Sequence, residues 1–275
     1  SRVGSEKGIS ERARPLCLFP MIRHSVSRWC FGSTPLDELC EKCHQLGISG
    51  LDLLTLDEIP IVQSHGIECS ITAAHPDSDG VGEIEKGFNN PNFHTTLHGI
   101  YEKLIPAAAE LGVKQVICFS GNRDGISDAD GLTNCAEGLT PLIPLAETHG
   151  VTLVMELLNS KIDHPDYQCD HTAWGAALCE KIGSANFKLL YDIYHMQIME
   201  GDCIATFTKH IDAISHFHTA GVPGRNEIGD NQELNYRGIS KALAATGYSG
   251  FLGQEFQPKL DPLTSLKEAV EICTV

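Results

Sequence analysis

No run of about 18 consecutive apolar residues occurs in the 275-residue chain, which argues against a transmembrane helix and a membrane partner. Basic charge is scarce, with 20 Lys and Arg against 36 Asp and Glu, a net charge of −16. A field of that sign repels a phosphate backbone before contact, so nucleic acid is not an expected partner. Residues 1–14 are polar and lack the apolar centre of a signal peptide. No Pro/Gly/Ser-rich tract divides the chain. The segment Trp29-Cys30-Phe31-Gly32-Ser33-Thr34, after the first predicted strand, holds one glycine, too few for a dinucleotide fingerprint. A second Cys pair is also missing. Cys40 and Cys43 stand three apart, but structural zinc wants four ligands. The eleven cysteines are odd in number and scattered through apolar runs such as those holding Cys69, Cys118 and Cys179. They read as buried thiols in a reducing compartment, hence an expected cytoplasmic location.

What is present is a regular alternation. Strand-like segments are expected near 25–30, 49–54, 67–73, 114–119, 151–156, 187–192, 213–218 and 250–255, with about eight amphipathic helices between them. In the stretch Leu97 to Leu111, for example, Leu97, Tyr101, Leu104, Ile105 and Ala108 form one apolar face. Gly47, Gly66, Gly112, Gly150, Gly183 and Gly247 are candidate helix stops, and Thr34-Pro35 a candidate helix start with Thr34 as cap. Eight strand–helix units of about 31 residues predict one closed (β/α)8 TIM barrel over residues 21–275, with residues 1–20 a poorly ordered extension.

In such a barrel, chemistry sits at the C-terminal ends of the strands. Four predicted strands in succession end on a charged or titratable side chain: Glu156, Asp192, His218 and Glu255, spaced 36, 26 and 37 residues apart. Three carboxylates and an imidazole in one small volume would repel one another unless a cation lay between them. Oxygen-rich donors with one nitrogen suit Mn2+, Mg2+ or Co2+. His195 lies three residues beyond Asp192. Arg225 follows the seventh strand in a Pro-Gly turn, where it could grip a substrate carboxylate. His75 after the third strand, and Asn122 with Arg123 after the fourth, are further pocket candidates by position. His216 shares a face with His218 one step deeper and reads as a supporting histidine. Trp29 and Phe31 could wall the pocket, though core packing is the simpler reading.

The segments Met155-Glu156-Leu157-Leu158-Asn159, Tyr191-Asp192-Ile193-Tyr194-His195-Met196-Gln197, Ala220-Gly221-Val222-Pro223-Gly224-Arg225-Asn226-Glu227, Glu233-Leu234-Asn235-Tyr236 and Gln254-Glu255-Phe256 resemble the xylose isomerase-like TIM barrels. That group includes hydroxypyruvate isomerases, ketose 3-epimerases and inosose dehydratases, and the motifs look closest to the first. The resemblance is strong from about residue 115 onward and thinner before it. It implies that Glu156, Asp192, His218 and Glu255 hold one divalent ion, that Glu156 and Glu255 serve as acid and base, and that His195 contacts substrate oxygens. Two departures bear on the substrate. Hydroxypyruvate isomerases often carry Gln where His218 stands, and His there is the habit of the epimerases. The loop after Asn159 reads Ser160-Lys161-Ile162-Asp163-His164-Pro165-Asp166-Tyr167 and lacks that branch's Pro-Gly-Tyr.

The resemblance thus implies a metal-dependent isomerase of small hydroxy-keto compounds acting through an enediolate, with hydroxypyruvate to tartronate semialdehyde the leading reaction. A ketose 3-epimerase or an inosose-type dehydratase is the alternative within the fold. A zinc-dependent abasic-site endonuclease is opposed by the acidity of the chain, and a non-enzymatic sugar-binding module by its paired glutamates. Homo-oligomerisation is open at this stage.

Overall fold

The computed structural model describes residues 22–275; the expected extension, residues 1–20, lies outside the described residues. Eight strands run β1 (Arg23–Ser27), β2 (Gly50–Leu54), β3 (Glu68–Thr72), β4 (Gln115–Cys118), β5 (Thr152–Leu157), β6 (Phe187–Asp192), β7 (Ile214–Thr219) and β8 (Phe251–Gln254). All neighbours pair in parallel, and β8 returns to β1 to close the barrel. Ten α-helices lie among the described residues: α1 (Leu36–Leu46), α2 (Ile59–Ser64), α3 (His94–Glu110), α4 (Asp128–Leu139), α5 (Ile143–His149), α6 (Thr172–Ile182), α7 (Ile193–Met199), α8 (Cys203–Lys209), α9 (Tyr236–Ala245) and α10 (Pro262–Cys273). The count exceeds eight because the crossovers after β4 and β6 are each broken into two helices.

Two-residue periodicity sorts the strands into faces. On β5, Leu153, Met155 and Leu157 join the large apolar layer beneath the helices, whereas Val154 joins a small inner cluster with Ile71, Ile117 and Leu190. Glu156 is one inward step beyond Val154, and Asp192 one inward step beyond Leu190. His218 follows His216, and Glu255 follows Gly253, by the same spacing. The barrel thus lifts each of the four residues just above its filled interior.

The six predicted glycine stops all adopt left-handed backbone, with φ from 63° to 82°. Gly47 shows why: it follows α1 and turns its N–H back onto the carbonyls of Cys43 and His44. The helix over Leu97 to Leu111 is observed as α3, which buries the expected five side chains. Two local expectations need correction. Thr34 does not cap α1: the helix starts at Leu36 behind Pro35, and no side chain bonds that end. The first strand stops at Ser27, where a short 3-10 turn, Arg28–Phe31, carries the chain outward. That turn leaves Trp29 44% exposed, against the core reading, while Phe31 is fully buried edge-on to Phe256.

Candidate metal centre at the mouth of the barrel

Glu156, Asp192, His218 and Glu255 are all buried, and each offers a ligand atom within 4.8 Å of the other three. Strand register explains the convergence, because Asp192 pairs with His218 and His218 with Gly253 across three adjacent strands. His218 Nδ1 lies 3.1 Å from Glu255 Oε2 and 3.6 Å from Glu156 Oε1, yet has no hydrogen-bond partner. Asp192 divides its work. Oδ1 caps α7 by accepting the His195 N–H at 3.1 Å, while Oδ2 is buried without a partner. An orphaned imidazole nitrogen and an orphaned Asp192 oxygen beside the Glu156 and Glu255 carboxylates fit a divalent cation, and the donor set of oxygens with one nitrogen fits Mn2+, Mg2+ or Co2+.

Glu255 is gripped on both oxygens. Ser27 Oγ (3.0 Å) and Trp29 Nε1 (2.9 Å) donate to Oε1, and Arg225 Nη2 donates to Oε2 at 2.6 Å. Burial alone would raise its carboxyl, but His218 and Arg225 outweigh burial and hold it well below the usual range. Glu156 lacks such a grip, and burial pushes it upward. Asp192 is pushed up to about 7, chiefly by burial against the partial relief of Arg225. Burial opposes charge on His218, yet the facing Glu255 and Glu156 carboxylates and the bond to Asp52 carry it well above the ordinary imidazole range.

His195 is fully buried beside the cluster. Its Nδ1 accepts from the Asn159 N–H at 3.1 Å, which leaves the proton on Nε2, 3.7 Å from Asp192 Oδ2. Burial holds its pKa well below the usual value, so the ring is a neutral donor. Arg225 spans Trp29 and Tyr194, 5.2 and 5.5 Å from their ring centres, and its Nε is buried without a partner.

His75 is exposed in an outer groove with Leu56, Thr95 and Gly99. Asn122 bridges to Tyr167 and takes its N–H to the Glu85 carbonyl, and Arg123 pairs with Asp128 and Asp170. No hydrogen bond or ion pair joins these three to the four converging residues. Asp52, by contrast, escaped the sequence reading. It is fully buried on β2 and accepts from His216 Nε2 (3.0 Å), His218 Nε2 (3.2 Å) and Ser25 Oγ (2.9 Å), with Ser70 Oγ on its other oxygen. A charged residue amid Leu51, Leu53 and Leu54 was the available signal.

Fold and site together define a (β/α)8 barrel with a metal-competent carboxylate–imidazole centre at its C-terminal mouth. The xylose isomerase-like TIM barrel family matches residues 40–274, and the chain belongs to that family. The chain is 39% identical over 114 residues to 2-oxo-tetronate isomerase of Cupriavidus necator, covering 42% of this chain and 43% of that protein. It is 32% identical over 153 residues to hydroxypyruvate isomerase of Escherichia coli, covering 55% of this chain and 58% of that one. The matches thus span about half the length of these relatives. Among solved structures, an AP endonuclease, family 2, from Brucella melitensis superposes with TM-score 0.79 at 24% identity, over 90% of this chain and 96% of that one. D-psicose 3-epimerase from Clostridium cellulolyticum H10 gives 0.74 at 16%, over 92% of this chain and all of that one. These superpositions speak for the fold.

Proposed function

We propose that the chain is a metal-dependent isomerase of short hydroxy-keto acids, converting hydroxypyruvate and tartronate semialdehyde through an enediolate. One observation carries the reading. Two buried glutamates face each other across His218 Nδ1, Glu255 at 3.1 Å and gripped by Ser27, Trp29 and Arg225, Glu156 at 3.6 Å and without such a grip. Two carboxylates placed on opposite sides of one ligand can serve as base and acid. Glu255 Oε2 accepts the proton leaving the substrate carbon, and Glu156 returns one to the neighbouring position. Glu156, Asp192, His218 and Glu255 would hold a divalent ion, which when bound polarises the carbonyl and stabilises the negative charge that forms. His195, a neutral donor through Nε2, orients a substrate oxygen. Arg225 offers its free Nε toward the substrate carboxylate.

The names of both curated relatives support a keto-acid substrate, and ten free cysteines among the described residues support a reducing compartment such as the cytoplasm.

The test is turnover of hydroxypyruvate in deuterated water with added Mg2+, Mn2+ or Co2+, followed by product mass. Deuterium should enter at carbon, and chelation should abolish conversion. Glu255→Gln should still bind the ion but lose 100-fold or more in turnover, since an amide accepts no proton at neutral pH. Retention of more than about a tenth of the rate removes Glu255 from the proton transfer. Conversion of neutral ketoses with hydroxypyruvate inert would select the epimerase reading.

A further inference from the structure

Beneath the four converging residues lies a carboxylate that neither the acid/base pair nor the ligand set uses. Asp52 has no exposed surface and no Lys or Arg partner. Holding a carboxylate there is expensive unless its oxygens are filled with donors, and four side chains from β1, β3 and β7 fill them: Ser25, Ser70, His216 and His218. The backbone is shaped for the same purpose. The β2–β3 register slips on both sides of Asp52, and Leu53 takes φ 60°, a conformation a leucine rarely adopts. Opposite, Gly253 must be glycine, because a Cβ there would collide with Asp52 Oδ2 and come within 2.8 Å of His218 Cδ2. A strained strand, a reserved glycine and four donors converge on one oxygen pair.

The consequence falls on His218. Its ring has two nitrogens, and Nε2 is 3.2 Å from Asp52 Oδ2 while Nδ1 faces Glu255 and Glu156. We propose that Asp52 is a positioning residue for the metal centre: by accepting the hydrogen bond of His218 Nε2–H it fixes the tautomer in which Nδ1 presents its lone pair to the ion. His216 braces the carboxylate from below, with Nε2 at 3.0 Å, so that Asp52 Oδ2 cannot rotate away. Carboxylate–imidazole–metal relays of this kind set ligand orientation and basicity. The proposal rests on the metal-binding reading of the four residues above and adds which nitrogen binds and what selects it.

The experiment titrates Mn2+ into purified wild type, Asp52→Asn and His216→Phe by calorimetry, with circular dichroism to check folding. Asn keeps the shape of Asp but can offer an N–H to His218 Nε2, which frees the ring to adopt the wrong tautomer. The Mn2+ Kd of Asp52→Asn should rise by about 10- to 100-fold, with a smaller rise for His216→Phe. Turnover at saturating Mn2+ should recover most of the wild-type kcat, because the reacting groups are untouched. Unchanged Mn2+ affinity in folded Asp52→Asn overturns the positioning role. Failure of wild type to bind any divalent ion overturns instead the reading beneath it. A readout independent of the variants is the long-range 1H–15N spectrum of Mg2+-loaded wild type. There the His218 proton should sit on Nε2; a proton on Nδ1 sinks the proposal even if Asp52→Asn does not fold.

Discussion

Arg225 sits 2.6 Å from Glu255 and 3.7 Å from Asp192, the one guanidinium recorded against this acidic group among the described residues. It offsets carboxylate repulsion, and its unpartnered Nε is free for the carboxylate of the proposed substrate. Arg225→Lys keeps a positive charge but loses the planar fork that can serve Glu255 and a second carboxylate together. We expect kcat/KM for hydroxypyruvate to fall about tenfold, equivalent to ~1.4 kcal/mol of transition-state binding. A silent substitution, combined with turnover of neutral ketoses, would turn the assignment toward the epimerases. Glu156, Asp192, His218 and Glu255 were legible as convergent residues because each interrupts an apolar strand end at barrel spacing. Asp52 was not, since one charge among Leu51, Leu53 and Leu54 does not say which way it points, and its inward aim depends on a register slip and on the left-handed Leu53. The grip of Trp29 on Glu255 joins residues 226 apart and follows from a 3-10 turn that local pattern does not announce.

At the scale of elements, glycine stops and apolar periodicity were enough to place the strands and α3 to within a few residues. The boundary at Ser27 and the start of α1 were missed because the 3-10 turn Arg28–Phe31 intervenes and the Thr34 N–H bonds back to the Phe31 carbonyl. β1 also carries a titratable burden at the foot of the barrel. His24 is buried, its Nδ1 has no partner, and burial lowers its pKa to about 4 from 6.5. The fold therefore favours the neutral ring, while the unfolded chain takes up a proton between pH 6.5 and 4. Stability from this residue is fully present above pH 6.5 and is lost as pH falls toward 4, by about 2–3 kcal/mol near pH 4.5. Urea midpoints measured from pH 7.5 to 4.5 should decline less steeply for His24→Gln than for wild type. Parallel slopes would exclude His24 as a source of acid sensitivity.

For the molecule as a whole, the net charge of −16 would set the approach of the proposed anionic substrate. The surface field repels a keto acid until it comes under the local influence of Arg225, so salt should help rather than hinder. Raising ionic strength from 0.01 to about 0.15 M shortens the Debye length from ~30 to ~8 Å, and kcat/KM for hydroxypyruvate should rise by about twofold. A fall would mean that the mouth itself is electropositive enough to steer.

The closing pair β8–β1 has a temporal meaning. Glu255 follows β8 and is held by Ser27 and Trp29 from the other end of the chain, so the seam of the cylinder and the last ligand are one place. If the four residues bind an ion as proposed, their set is complete only once β8 has followed the other strands and closed on β1. An ion held by all four would then require a finished cylinder, and metal loading would report that the barrel has shut.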